Sequence, residues 1–232
     1  MKGLIFKRGL SGNALKIIAL VSMTLDHIGV ILFPQYEIFR ILGRVAMPVF
    51  AFMIAEGCAY TRRKARYFVS VFGVGIVCFV GYLVALGAVY LNVLITYSFS
   101  IAVIYGLQYA LGSKNKAAYL LPAVTVLISA FMNCVMPYVT GREEWSVDYG
   151  FFGTLLPVMI YVLKDFRLKL LSVALGLTLL GLSFGGFQWW AYFSILFLIF
   201  YDGTRGKLKL KYLFYVYFPL HFVLLYGISL LI

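Results

Sequence analysis

The chain of 232 residues is 63% hydrophobic, 18% aromatic and only 12% charged, with a formal net charge of +12. A soluble domain of this length carries roughly twice that charged fraction, whereas apolar runs of about 20 residues, enough to cross a bilayer as helix, follow one another here almost end to end. A soluble globular domain is excluded, and with no stretch of alternating polarity a sheet protein is excluded too. The expected class is all-α: a polytopic integral membrane helical bundle, a single domain over 1–232.

In chain order, nine membrane helices are expected at roughly 14–33, 38–60, 67–87, 91–111, 118–138, 149–163, 168–186, 188–201 and 212–231. The start has the basic residues of a signal peptide. The run that follows is long, carries Asp26 and His27, and lacks a small-residue cleavage site, so it reads as a retained first helix. Lys2, Lys7, Arg8 and Lys16 precede that helix, and "TRRKAR" (61–66) follows the second. "SKNK", "KDFRLK" and "GTRGKLKLK" follow the fourth, sixth and eighth. The opposite loops hold Arg142 as their one base, beside Glu143, Glu144 and Asp148. This bias puts the N-terminus in the cytoplasm and the C-terminus outside, in a multi-pass protein of the plasma membrane. The basic excess then serves topology and contact with membrane lipids. Nucleic-acid binding is excluded, because no loop is long enough to fold into a basic surface.

Smaller features are read structurally. Cys58, Cys78 and Cys134 are odd in number, lie in apolar runs and lack metal-ligand spacing, which fits packing and neither disulfides nor a metal site. Gly181 and Gly185 form a GxxxG pair, expected to mark close helix packing. Pro48, Pro157 and Pro219 should kink their spans or free backbone carbonyls. Trp189 and Trp190 fit an outer interfacial belt.

Subtracting the loops leaves Asp26, Arg40, Arg44 and Glu56 as the fixed charges in the spans, with His27 and His221 the only two histidines of the chain. Intramembrane ionisable residues are candidates for function because each is costly to insert. The first helix runs outward and the second inward, so Asp26 and His27 lie about 10 Å from the outer end of the first, and Arg40 and Arg44 lie within a similar distance of that same face. Arg40 and Arg44, spaced i, i+4, share a face and need an acid opposite. An Asp26–Arg44 ion pair between the first two helices answers that need. Adjacent helical positions diverge by about 100°, so an Asp26 facing the arginines turns His27 toward another helix. Glu56 lies about 18 Å farther along the second helix than Arg44, just before "TRRKAR". It pairs with the Arg62/Arg63 region or stands near a substrate. His221, in "YVYFPLHF" (215–222) of the last helix, is either a packing residue or one that orients or activates a substrate.

"SGNALKIIALVSMTLDHIG" (11–29), "RILGRVAMPVFAFMIAEGCAYTRRKARY" (40–67), "YGFFGTLLPVMIY" (149–161) and "FYVYFPLHF" (214–222) together resemble the TraX family over nearly the whole chain. That family is named for a conjugation protein that acetylates the pilin N-terminus, and it is related to multi-helix membrane acyltransferases. The resemblance implies acetyl-CoA as cytoplasmic acyl donor and an acceptor modified on the far side, a protein N-terminus or a glycan. It also implies His27 as the catalytic residue, supported by Arg44; Glu56 and His221 match motif positions.

The residues agree with such chemistry. Acyl transfer from a thioester needs a base near the acceptor and positive charge or donors near the developing oxyanion. His27 can serve as the base, with Arg44, Arg40 or Tyr217 stabilising charge. Arg62, Arg63 and Lys64 can attract the CoA phosphates, and no glycine-rich phosphate loop is present. Direct transfer and passage through an acyl-histidine are both compatible with this set. Two readings from other classes remain: a proton-coupled small transporter, for which the paired broken helices of inverted repeats are not visible, and a non-catalytic assembly factor of a surface or conjugation apparatus.

Overall fold

The computed structural model describes residues 9–208 and 210–231. Lys2, Lys7, Arg8 and Lys209 of the loop-charge argument lie outside the described residues, as do the side chains of Glu143 and Lys211. The described chain is helical, without strands; only two isolated bridges occur, Leu10 with Tyr201 and Leu91 with Val147. Six helices are long and apolar enough to cross a membrane, and Gly150–Val162 and Leu213–Ser229 are shorter apolar helices. It is a multi-pass helical membrane protein. By its contacts the chain forms two compact units, Met1–Met53 with Leu163–Ile232, and Ile54–Val162.

In the first unit, α1 (Gly12–Ile31) starts at Ser11, whose hydroxyl accepts from the Ala14 amide, a serine cap. Its N-terminal end is tied to the loop before the last helix: Gly12 N–H donates to the Thr204 carbonyl at 2.7 Å and Asn13 Nδ2 to that of Leu208 at 2.6 Å. The second expected span is two helices, α2 (Glu37–Gly43) and α3 (Ala46–Tyr60), with a turn at Arg44–Val45; α3 from Ile54 onward belongs to the second unit. Pro48 is the cause within the sequence, since it has no N–H for the carbonyl of Arg44 four residues back. The helix ends outright where a kink was expected because α1 supplies substitutes. Ser22 Oγ lies 2.6 Å from the Leu42 carbonyl and 3.1 Å from that of Gly43, so its hydroxyl caps the end of α2.

The second unit is centred on α5 (Val93–Gly112), which packs on α4 (Lys64–Leu86), α6 (Leu120–Ala130) and α8 (Gly150–Val162). Two of its buried polar side chains bond to backbone: Asn92 caps α5 and donates to the Gly75 carbonyl, while Ser100 donates to the Thr154 carbonyl. A π-turn over Phe131–Val135 joins α6 to α7 (Met136–Thr140), and its Asn133 accepts from the Val147 amide. Tyr90, in the loop before α5, donates to Asp148 at 2.9 Å; burial and that carboxylate hold its phenol well above the usual range.

Returning to the first unit, α9 (Phe166–Phe184) is followed by a 3-10 segment, Gly186–Tyr192, the short α10 (Phe193–Leu198) and the last helix, α11 (Lys211–Ser229). The expected eighth helix is therefore mostly 3-10, because Gly185 and Gly186 both adopt positive φ and redirect the chain at its start. The GxxxG pair does not join two helices: a Cβ on Gly181 would come within 2.8 Å of the Trp189 ring, and Gly185 caps α9. Trp189 and Trp190 are exposed, as a belt requires.

Candidate functional site

All the site's contacts lie in the first unit and radiate from α1. Ser22, Asp26 and Gly29 are spaced i, i+4, i+7 and form the face that meets α2. Contact there is close: a Cβ on Gly29 would come within 2.6 Å of that of Phe39, and one on Gly43 would overlap the Asp26 side chain. Glycine at these two positions lets the carboxylate reach across. Asp26 Oδ2 then accepts from Arg40 Nη1 at 3.1 Å, and its Oδ1 accepts from Arg44 Nη2. The Asp26–Arg44 pair expected from the sequence is present, and Arg40 completes it. Arg44 terminates α2, so the turn created with Pro48 and Ser22 also aims this guanidinium.

The adjacent face of α1 carries Thr24 and His27 to α11. His221 Nδ1 is 3.0 Å from the Tyr217 carbonyl, and its Nε2 is 2.8 Å from His27 Nδ1. A carbonyl only accepts, so His221 carries its proton on Nδ1. In the neutral pair His221 Nε2 is then an acceptor and His27 Nδ1 must donate to it. This pattern assigns both tautomers and leaves His27 Nε2 as a bare lone pair. The rings are packed in place: Phe222 lies 4.3 Å from both imidazole centroids, and the Tyr217 ring is stacked on His221 at 5.4 Å. Thr24 Oγ1 donates to the Leu20 carbonyl at 2.8 Å, so at 2.7 Å the Tyr217 hydroxyl donates to Thr24.

A family model described as TraX protein matches residues 11–229. The chain belongs to the TraX family. It is 44% identical over 62 residues to the uncharacterized protein RP591 of Rickettsia prowazekii (strain Madrid E), covering 27% of this chain and 24% of that protein. It is 33% identical over 61 residues to the probable fimbrial assembly protein FimC, serogroup H1, of Dichelobacter nodosus, covering 25% of each. The chain thus spans about a quarter of the length of each of these curated relatives. No solved structure matches it.

Of the site residues read from the sequence of this TraX-family chain, Asp26, Arg44, His27 and His221 are brought together on α1, α2 and α11. Glu56, Arg62, Arg63 and Lys64 belong to the second unit. Glu56 is buried on α3, while the three basic residues are exposed at the start of α4. Lys64 Nζ sits 5.6 Å from the Tyr105 ring centroid. Among the described residues no group of three or more His, Cys, Asp or Glu could hold a metal ion. Ser22, Thr24 and Phe222 were not singled out from the sequence. Ser22 and Asp26 share a helix face at i, i+4, and Thr24 and His27 at i, i+3, which is the signal that connects them.

Proposed function

We propose that this TraX-family chain is an integral membrane acyltransferase that moves an acetyl group from cytoplasmic acetyl-CoA to an amine or hydroxyl on the extracytoplasmic side. The observation that carries this reading is the hydrogen-bond chain from the Tyr217 carbonyl through His221 to His27, which leaves His27 Nε2 able to take a proton. As the acceptor nitrogen or oxygen attacks the thioester carbonyl, His27 removes its proton. The new C–N or C–O bond forms, the C–S bond breaks, and the imidazolium returns the proton to the departing thiolate. The guanidinium pair on Asp26 contributes positive charge toward the developing oxyanion.

The rest of the proposal concerns placement. The chain would pass the plasma membrane nine times with its N-terminus in the cytoplasm, a reading supported by the loop-charge bias. Arg62, Arg63 and Lys64, exposed beside the buried Glu56, would then meet the CoA phosphates from the cytoplasm. The acceptor would be a protein N-terminus or a glycan. The fimbrial-assembly name of one relative favours a surface protein, and it equally favours the non-catalytic assembly role as a second reading.

The test is turnover of labelled acetyl-CoA by the detergent-purified chain, measured as hydrolysis, self-acylation or transfer to a lysate fraction. Wild type should turn over, and His27→Ala at matched folded concentration should lose ~100-fold or more. Absence of turnover in wild type, or near-normal turnover in His27→Ala, would overturn the assignment.

A further inference from the structure

The Asp26 cluster contains one guanidinium more than the carboxylate needs. Asp26 receives one hydrogen bond from each arginine, on separate oxygens, so the fixed charges sum to +1, two arginines against one aspartate. Arg44 is enclosed, with 10% of its side chain exposed, whereas Arg40 is 29% exposed. A guanidinium has five N–H donors, and Arg40 uses Nη1 alone on a protein acceptor among the described residues. Glu37, the acid on α2, is exposed and forms no ion pair with either arginine. Among the described residues, Asp26 is the acid in ion-pair contact with Arg40. The Gly186–Tyr192 segment that packs on α2 has no charged residue, and α11 faces the site with Tyr217, His221 and Phe222.

We propose that Arg40 docks an oxyanion, a carboxylate or phosphate group, on the molecule that comes to His27. The identity of that molecule rests on the acyltransferase reading; the oxyanion site does not. A planar fork with unused donors matches such a group bidentately. An uncompensated charge among membrane helices is costly, which favours a bound counter-ion over a vacant fork. Asp26 and His27 are consecutive on α1 and point to adjacent faces of it, so a molecule anchored on Arg40 would reach around α1 to meet the proposed base. Arg40 would thus set specificity, admitting molecules with an acidic group near the amine or hydroxyl to be acylated. A lipid headgroup phosphate offers the same chemistry.

The test needs no acyl donor. Trp189 and Trp190 lie in the segment packed on α2, so tryptophan fluorescence can report binding there. In a maltoside detergent, which carries no anion, acetate or inorganic phosphate at constant ionic strength should give a saturable response. Arg40→Gln should weaken it by ~10-fold or more, while Lys114→Gln, in the exposed loop after α5, leaves it unchanged. Asp26 keeps Arg44 in Arg40→Gln, so folding should survive. Arg40→Lys, which keeps the charge and loses the fork, should bind with intermediate affinity. Repeating the titration in phosphatidylglycerol nanodiscs separates the sources: a lost response identifies lipid phosphate as the occupant, and a retained one identifies a soluble group. No saturable response in maltoside, or equal affinity in wild type, Arg40→Gln and Arg40→Lys, would overturn the proposal. Binding without any acetyl-CoA turnover would leave the oxyanion site standing and remove the acyltransferase reading.

Discussion

Two faces of α1 lie one residue apart and are built on opposite principles. Toward α2 the helix presents a serine cap, a carboxylate and a glycine, and the contact is made of fixed charge held by backbone shape: Gly43 admits Asp26, and Ser22 closes the helix that Arg44 terminates. Toward α11 it presents a threonine and an imidazole, and the contact is a chain of neutral hydrogen bonds that ends in an unused lone pair. Charged groups resist change because removing one strands the other in a low-dielectric setting. A neutral imidazole pair can gain and lose a proton without breaking its seam. Under the proposed acyltransferase reading, the division gives architecture to Asp26 and chemistry to His27, although the two are neighbours in sequence.

The strongest test of this division attacks the charged face. Asp26→Asn or Arg44→Met alone should lower the stability of the detergent-purified protein by about 3 kcal/mol, because each leaves a partner charge poorly compensated. The double variant should recover much of that, since the one remaining cation, Arg40, is the more exposed of the two. Thermal unfolding of the four proteins measures the coupling. Strictly additive losses would mean the pair contributes nothing as a pair and would erase the contrast between the faces.

On the neutral face the effects should fall on rate. His221→Ala removes the acceptor that fixes the His27 tautomer and should cost ~10-fold in acetyl transfer, the equivalent of about 1.4 kcal/mol. This is a positioning effect, smaller than the loss expected for His27→Ala. His221→Gln keeps an amide oxygen able to accept from His27 Nδ1 and should retain more activity than His221→Ala. Equal loss in the two would argue that His221 acts on substrate directly.

The charged face was legible in the sequence and the neutral one only partly. Asp26, Arg40 and Arg44 fall at matching depth on consecutive helices, and helical rise alone predicts their meeting. The break at Arg44–Val45 was harder to read, because Pro48 signals a disturbance but the closing hydroxyl comes from Ser22 on another helix. His27 turning away from the arginines follows from helical geometry, yet its partner lies 194 positions along the chain, where no local pattern reaches. The Gly185–Gly186 reversal was hidden by the apolar run around it: hydropathy marks what is buried in lipid and is silent about 3-10 backbone.

The smallest expected effect belongs to Tyr217, and it separates the backbone of α11 from its side chains. The carbonyl of Tyr217 holds His221, while its hydroxyl donates to Thr24 and its ring lies within 3° of parallel to the His221 imidazole. Tyr217→Phe deletes the hydroxyl alone. Thr24 keeps its donation to the Leu20 carbonyl, so no donor is left stranded, and the loss should be one neutral hydrogen bond, about 1 kcal/mol of stability. Because the carbonyl and the ring remain, the His27 tautomer should be unchanged and acetyl transfer should stay within about threefold, a change under 1 kcal/mol in the barrier. Thermal unfolding and acetyl-CoA turnover of the one variant test both halves. A fall near that of His27→Ala, with stability intact, would move the Tyr217 hydroxyl from the seam into the reaction itself.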